Sequence, residues 1–229
     1  MSLWEQIRQN LIEGDRYMYI VKGLGITLEI TVFAALIGLV IGVLLALIKV
    51  TAPDSKKMKP LDWFASLYLT VIRGTPMVVQ LFIMYYIVIT APQVSKITVA
   101  IVAFGINSGA YVAEIVRGGL MSVDGGQMEA GRSLGLGYLD TMRLIVIPQA
   151  FKNILPALGN EFITLFKDTS LVSAIGGAEL IYYAKAVGSK TFDVMYPYLG
   201  IACMYLVVVM ILTWLQGKLE RRLRQSDRR

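Results

Sequence analysis

Three stretches of this chain, residues 30–48, 74–95 and 194–217, contain no Asp, Glu, Lys or Arg, and nothing else in the sequence restricts its possible folds so strongly. A helix that crosses about 30 Å of hydrocarbon needs roughly 20 predominantly apolar residues. Inside that layer every backbone amide must find its partner within the chain, which a helix does by itself. A fourth uncharged run covers 97–113 and ends on Glu114. A fifth candidate, 144–166, is interrupted by Pro148, Lys152, Pro156, Gly159 and Glu161. With 56% hydrophobic and 17% charged residues, the expectation is an all-α integral membrane protein with five transmembrane helices in one domain.

The residues that are missing exclude several chemistries. The chain has no histidine, so imidazole-based hydrolysis, histidine-ligated metals and histidine phosphorelays have nothing to work with. It has no Gly-rich loop ending in Gly-Lys-Ser/Thr, so it cannot bind ATP by that route. Its single cysteine, Cys203, lies in an apolar run. No cofactor and no metal site are expected in this chain.

Residues 1–20 carry five charges and no compact apolar core, unlike a cleavable signal peptide. Trp4, Ile7 and Leu11 share a helical face, which predicts a short amphipathic segment at the membrane interface. The expected organisation is thus residues 1–20 as an extracytoplasmic segment, 21–217 as the membrane domain, and 218–229 as a basic tail.

The charges also predict an orientation. With five spans, fourteen of the 22 lysines and arginines fall on one side, six on the other, and Arg73 and Lys167 within or near spans. The richer side should be cytoplasmic. That places the N-terminus outside and the C-terminus inside, with residues 117–143 cytoplasmic. The net charge of +6 then reflects topology and lipid attraction, and nucleic acid is not an expected partner.

Polar residues recur at helical spacing within the apolar blocks. Thr70, Arg73, Met77 and Gln80 would share a face of the second span beside Pro76. On the third span Asn107, Tyr111 and Glu114 lie at i, i+4 and i+7. On the fourth, Glu161, Thr164 and Asp168 lie at i, i+3 and i+7. Ionisable groups at membrane depth usually face a bundle interior or an aqueous cavity, so these stripes predict a central cavity. The alternative is that the charges pair to hold the bundle, Arg73 with Glu114 and Lys167 with Asp168. Leu81, Phe82 and Phe162 are expected to be packing.

Between the third and fourth spans runs QMEAGRSLGLGYLDTMRLIVIPQAFKNILP. Residues 127–134 can form a short helix, and Gly135 and Gly137 suit its end, where a left-handed residue is needed. The small residues Ala130, Gly131 and Gly135 would let its backbone lie close against a partner. This segment resembles the EAA loop of ABC importer permeases. Glu129, Ala130 and Gly131 stand for the initial triplet, Gly135 follows after three residues, Ile145 after nine more, and Ile147 and Pro148 close the pattern. Gly131 replaces an alanine of that pattern and Ile147 a leucine. GLGITLEIT near the first span, Arg73-Gly74-Thr75-Pro76 with Gln80, GAYVAEIVRGG from Gly109, and Lys167-Asp168-Thr169-Ser170-Leu171 resemble more narrowly the permeases of polar amino acid uptake.

The resemblance implies a type I ABC importer permease core in the bacterial inner membrane. It implies two partner ATPase subunits that bind ATP and Mg, a second permease subunit (identical or not), an extracytoplasmic binding protein and an amino acid substrate. Glu129, Ala130, Gly131, Ser133, Leu134 and Gly135 would form the coupling contact with the ATPase. Arg73 and Lys167 would have gating or structural roles. The substrate candidates are Thr70, Gln80, Asn107, Tyr111, Glu114, Glu161, Thr164, Asp168 and Thr169. With Arg73 and Lys167 against Glu114, Glu161 and Asp168, one carboxylate is in excess, which favours a basic amino acid such as arginine, lysine or histidine over a neutral one such as glutamine. A secondary transporter or channel would require no ATPase groove, but the internal repeats common in such folds are not visible here.

Overall fold

The computed structural model describes residues 3–52 and 55–225, and among them every element is helical, with no strand. The first long helix, α2 (Tyr17–Thr51), follows a short α1 (Leu3–Ile7), a π-helical turn (Arg8–Ile12) and a bend in which Gly14 and Asp15 take positive φ. Then come α3 (Lys59–Gly74), α4 (Met77–Ile83) prolonged by a π-helical turn (Met84–Val88), and α5 (Lys96–Met121). Two short helices, α6 (Gly125–Ser133) and α7 (Tyr138–Thr141), lead through a third π-helical turn (Met142–Val146) into α8 (Ile147–Asp168). A 3₁₀ segment (Thr169–Ile175), α9 (Leu180–Thr191) and α10 (Met195–Gln225) complete the chain.

The bundle is organised around the seam between α2 and α5. Lipid tails are as apolar as leucine, so helices in a membrane associate chiefly through close packing, which small residues permit. Gly38 and Gly42 of α2 face Ser108 and Val112 of α5, and Gly105 and Gly109 of α5 face Ile37 and Ile41 of α2. A Cβ on Gly42 would stand 2.5 Å from Val112, and one on Gly105 2.6 Å from Ile37. Next to the seam, Ile30, Ala34, Leu81, Phe104, Leu165 and Val172 form a buried cluster that ties α4 and α8 to it.

Three helices among the described residues, α2, α5 and α10, are long and apolar enough to cross a membrane, and the bent pair α3–α4 passes the same test when taken together as one broken span. The block 74–95 is not the single span its lack of charge predicts. The helix begins fifteen residues earlier at Lys59, ends at Gly74, and resumes at Met77 after a turn of 109°. Proline lacks an amide hydrogen and disfavours helical geometry in the residue before it, and Thr75 accordingly adopts φ −120°, ψ 143°. Residues 89–95 are not helical. At 22 residues, α8 is about 33 Å long, but its polar face keeps it below the apolarity of the other spans.

α9 lies between the last two apolar blocks, in a region that none of the five candidate spans covers. Its start is set by the buried Glu179, whose carboxylate accepts from the amides of Ile181 and Tyr182 at 2.9 and 3.0 Å, an N-cap with charge of the favoured sign. The expected amphipathic face of the N-terminal segment is divided. Trp4 is exposed, whereas Leu11 packs over Gly200 of α10 and the buried Asn10 donates to Asp193 at 2.9 Å. α2 and α10 run unbroken through residues 20–21 and 217–218. Arg228 and Arg229 of the basic tail lie outside the described residues.

Candidate functional site

The bend between α3 and α4 opens a cavity of about 430 Å³ against α5 and α8. Arg73 closes the end of α3, Thr75, Pro76 and Met77 supply the bend, α5 contributes Asn107 and Tyr111, and α8 contributes Glu161, Thr164 and Asp168. The i, i+3, i+7 spacing on α8 thus forms one polar wall. Gln80 does not point into the cavity. Its amide nitrogen donates to the carbonyls of Ile72 and Thr75 and to Thr75 Oγ1 at 2.7–3.1 Å, capping the last turn of α3, while its oxygen accepts from Asn107 at 3.0 Å. The side chain therefore holds the bend closed. Tyr68 adds a second tie, donating its hydroxyl to the Ile106 carbonyl.

The charges around the cavity are unevenly paired. Glu114, just outside the lining, is 2.8 Å from Arg117 and 3.7 Å from Arg73. Arg117, three residues on along the same helix, is its closer partner. Arg73 is half-exposed and lies 6.0 Å from the centre of the Tyr111 ring. Among the described residues lining the cavity, Arg73 is the one cation, against Glu161 and Asp168. Ser108, one position outside the expected stripe, donates to Glu161 at 2.7 Å and so fixes that carboxylate between α5 and α8.

Five residues of the expected set, Glu114 and four others, do not line the cavity. Lys167 and Asp168 are adjacent on one helix, so their side chains diverge by about 100°. Lys167 opens into a separate groove with Ser170, Ile181, Tyr198 and Tyr205. Of the two pairings in the alternative reading, Arg73–Glu114 is present at 3.7 Å, whereas Lys167–Asp168 is absent from the ion pairs of the described residues. Thr169 is fully buried behind the wall and donates to the Phe166 carbonyl at 2.7 Å. Thr70 is exposed on α3 and does not line the cavity, and Gln80 serves the bend.

At the opposite end of α5 and α8, the chain forms a compact elbow. Asp124 caps α6 by accepting from the Gly126 amide at 2.6 Å. The helix ends in a Schellman motif, with Gly135 at φ +86°, the Leu136 amide bonded to the Gly131 carbonyl at 3.1 Å, and the Gly135 amide to Arg132 at 3.0 Å. Gly137 differs from the expectation of a left-handed residue: it is extended and stands at the start of α7. Gly131 also differs, because its close contact is internal. A Cβ there would lie 2.5 Å from Thr141 and 3.1 Å from Ile145. Glu129, Ala130, Ser133, Leu134 and Gly135 are exposed, Leu134 at 82% and Leu139 beside it at 79%.

Residues 38–225 match the model of the family described as binding-protein-dependent transport system inner membrane component. The chain is 40% identical over 211 residues to the arginine transport system permease protein ArtQ of Bacillus subtilis (strain 168), covering 91% of this chain and 94% of that protein. It is 38% identical over 215 residues to the putative glutamine transport system permease protein GlnP of Rickettsia bellii (strain RML369-C), covering 92% and 95%. A solved structure of an amino acid ABC transporter with histidines is similar with a TM-score of 0.83 and 43% identity, over 90% of this chain and 94% of that one.

Proposed function

The chain belongs to the inner membrane components of binding-protein-dependent transport systems, and from that premise we propose that this amino-acid ABC importer permease carries basic amino acids through the cavity between α3, α5 and α8. The observation that carries the reading is the charge of the lining. One arginine faces two carboxylates, Glu161 and Asp168, and Lys167 opens elsewhere. An unpaired carboxylate in a low-dielectric wall is unfavourable, and a cationic side chain of the substrate relieves it. The zwitterionic end fits the same dipole, with the α-carboxylate toward Arg73 and the cationic side chain toward α8. The relative named for arginine supports this reading.

A neutral substrate is the second reading, supported by the relative named for glutamine. Uptake of arginine and glutamine by the assembled transporter, compared between the unaltered chain and Glu161→Gln, separates the two. Arginine transport that survives undiminished, or a preference for glutamine from the outset, would remove the charge-based assignment.

The chain supplies path and lever, and hydrolysis belongs to two partner ATPases holding ATP and Mg. α6, with Glu129, Ala130, Ser133, Leu134 and Gly135 exposed, is the surface we assign to the ATPase, and a second permease subunit completes the pathway that an extracytoplasmic binding protein loads. α8 counts as the fifth span, in an inner-membrane protein with its N-terminus outside and C-terminus in the cytoplasm. Cysteines at Ser189 and Ser133, in a Cys203→Ser background, test that orientation. Ser189 should be labelled from outside the cell and Ser133 only after permeabilisation, and the reverse pattern overturns it.

A further inference from the structure

The elbow bearing α6 and the cavity wall are at opposite ends of α8, and two side-chain amides of that helix tie it to the elbow. Where α5 ends, the Asn153 side-chain amide of α8 donates to Ser122 Oγ at 2.8 Å, and that hydroxyl donates in turn to the Gly119 carbonyl at 2.7 Å. One turn earlier on α8, the Gln149 amide reaches Gln127 Oε1 of α6 at 3.1 Å while also bonding the Ile145 carbonyl at 3.0 Å. Residues 149 and 153 are four apart and share a face. That face grips the end of α5 with one amide and α6 with the other.

The backbones are also close here. A Cβ on Gly119 would stand 2.2 Å from Ile154 Cγ1, the tightest approach of any glycine position in the described residues. Ile154 fills the space that a side chain at 119 would take, so this is the point of closest packing between the two helices. Above the contact, Pro156 interrupts the helix ladder, and Gln216 of α10 braces the site by donating to the Pro156 carbonyl at 3.1 Å. Glu161 lies eight residues beyond Asn153, about 12 Å along the axis.

We infer that Asn153 and Gln149 are positioning residues that transmit movement of α6 to the cavity wall, with Gly119 and Ile154 as the pivot between α5 and α8. This rests on α6 being the ATPase contact. A displacement of α6 is passed through Gln127 to Gln149 and through Ser122 to Asn153. Because the pivot sits below Pro156, the upper half of α8 swings Glu161, Thr164 and Asp168 relative to Asn107 and Tyr111 of α5. Without the two amides, α6 would still occupy its partner's surface, but its motion would reach the wall only weakly, through the Gly131 contact and the connecting chain.

The test uses the assembled transporter in liposomes with its ATPase and binding protein, carrying Ser133→Cys in a Cys203→Ser background so that cross-linking to the ATPase reports docking. In the double variant Asn153→Ala/Gln149→Ala, cross-linking and basal hydrolysis should persist, while stimulation by the loaded binding protein and uptake per ATP fall about tenfold, the scale of two hydrogen bonds. Ser122→Ala, which deletes a single oxygen, should lower stimulation in the same direction, and Ser122→Thr should restore it. This pair decides the matter even if the double variant does not insert. Unchanged stimulation in these variants overturns the inference, as does loss of the cross-link together with stimulation, which would make the residues docking elements. A cross-link absent from the otherwise unaltered chain overturns the assignment of α6 to the ATPase and this inference with it.

Discussion

The two faces of α5 are built on opposite plans. Toward α2 it presents Gly105 and Gly109, and the helices meet through backbone and β-branched side chains with no room for an added methyl group. Toward α3, α4 and α8 it presents Asn107 and Tyr111 to a cavity of about 430 Å³ whose other walls are a broken helix and a row of carboxylates. The same helix is therefore a scaffold on one side and a wall of the proposed substrate cavity on the other. Close glycine packing leaves one arrangement available. Contacts made by side-chain tips across a cavity can be exchanged for contacts with a ligand at small cost. The seam is where a mutation should destroy the fold, and the cavity is where it should change transport while sparing the fold.

The largest effect is expected at the seam. Gly105→Leu places four heavy atoms where Ile37 already stands 2.6 Å from a bare Cβ position. Overpacking of this kind costs about 3 kcal/mol or more where the backbone cannot yield. Little monodisperse protein should be recovered from detergent, and what is recovered should melt well below the unaltered chain. A normal melting midpoint would show that the seam can open, and the contrast between the two faces would collapse.

Gly135 is next. Its surroundings are empty but its φ is +86°, so a substituent meets strain from the backbone alone, about 1–2 kcal/mol for a non-glycine residue. Gly135→Val should unwind the end of α6 and abolish most substrate-stimulated ATP hydrolysis in the complex while leaving melting nearly unchanged. Gly135→Asn, which tolerates the left-handed region, should keep most of that activity. Equal behaviour of the two variants would mean that the helix end is not what the ATPase reads.

Much of this arrangement was legible in the sequence, and the failures have physical causes. The uncharged blocks located α2, α5 and α10, but charge alone misjudged α3. Helix formation tolerates the charged residues Lys59, Asp62 and Arg73 at its ends, so the helix extends past the uncharged run. Thr75-Pro76 signalled an interruption, and sequence spacing could not show that it becomes a turn of 109°, which removes Gln80 from the face of Thr70 and Arg73. Within unbroken helices, spacing served better: Glu161, Thr164 and Asp168 share one wall. Glu114 pairs more closely with Arg117, at i, i+3 on its own helix, than with Arg73 across the bundle. Glu179, immediately before the first residue of α9, caps a helix that hydropathy did not reveal.

The adjacent residues Lys167 and Asp168 sharpen the comparison further. Asp168→Asn removes charge from the cavity wall and should lower arginine uptake about tenfold, the scale of one charge-assisted contact, without a matching loss of stability. Lys167→Gln should leave uptake within about twofold, because that side chain opens into a different groove. If Lys167→Gln proves the more damaging of the two, the substrate path runs along α9 and α10 rather than between α3, α5 and α8.

The smallest effect is expected on α2, which also carries a tightly packed glycine of the seam. Gly25 of α2 has no atom within 4 Å of the position a Cβ would take, whereas on Gly42 that atom would lie 2.5 Å from Val112. Both residues are helical, so alanine relieves the same backbone entropy at each, worth about 0.5–1 kcal/mol in favour of the helix. The difference between the two variants is therefore a measure of packing alone. Gly25→Ala should melt at or slightly above the unaltered chain and transport normally, while Gly42→Ala should lose stability despite the identical gain in helix propensity. If both were neutral, the α2–α5 seam would have slack that the backbone distances deny, and the rigidity assigned to that face of α5 would have to come from elsewhere. If both were damaging, the exposed flank of α2 at Gly25 would be covered in the assembled transporter, which places a second permease subunit or another partner against it.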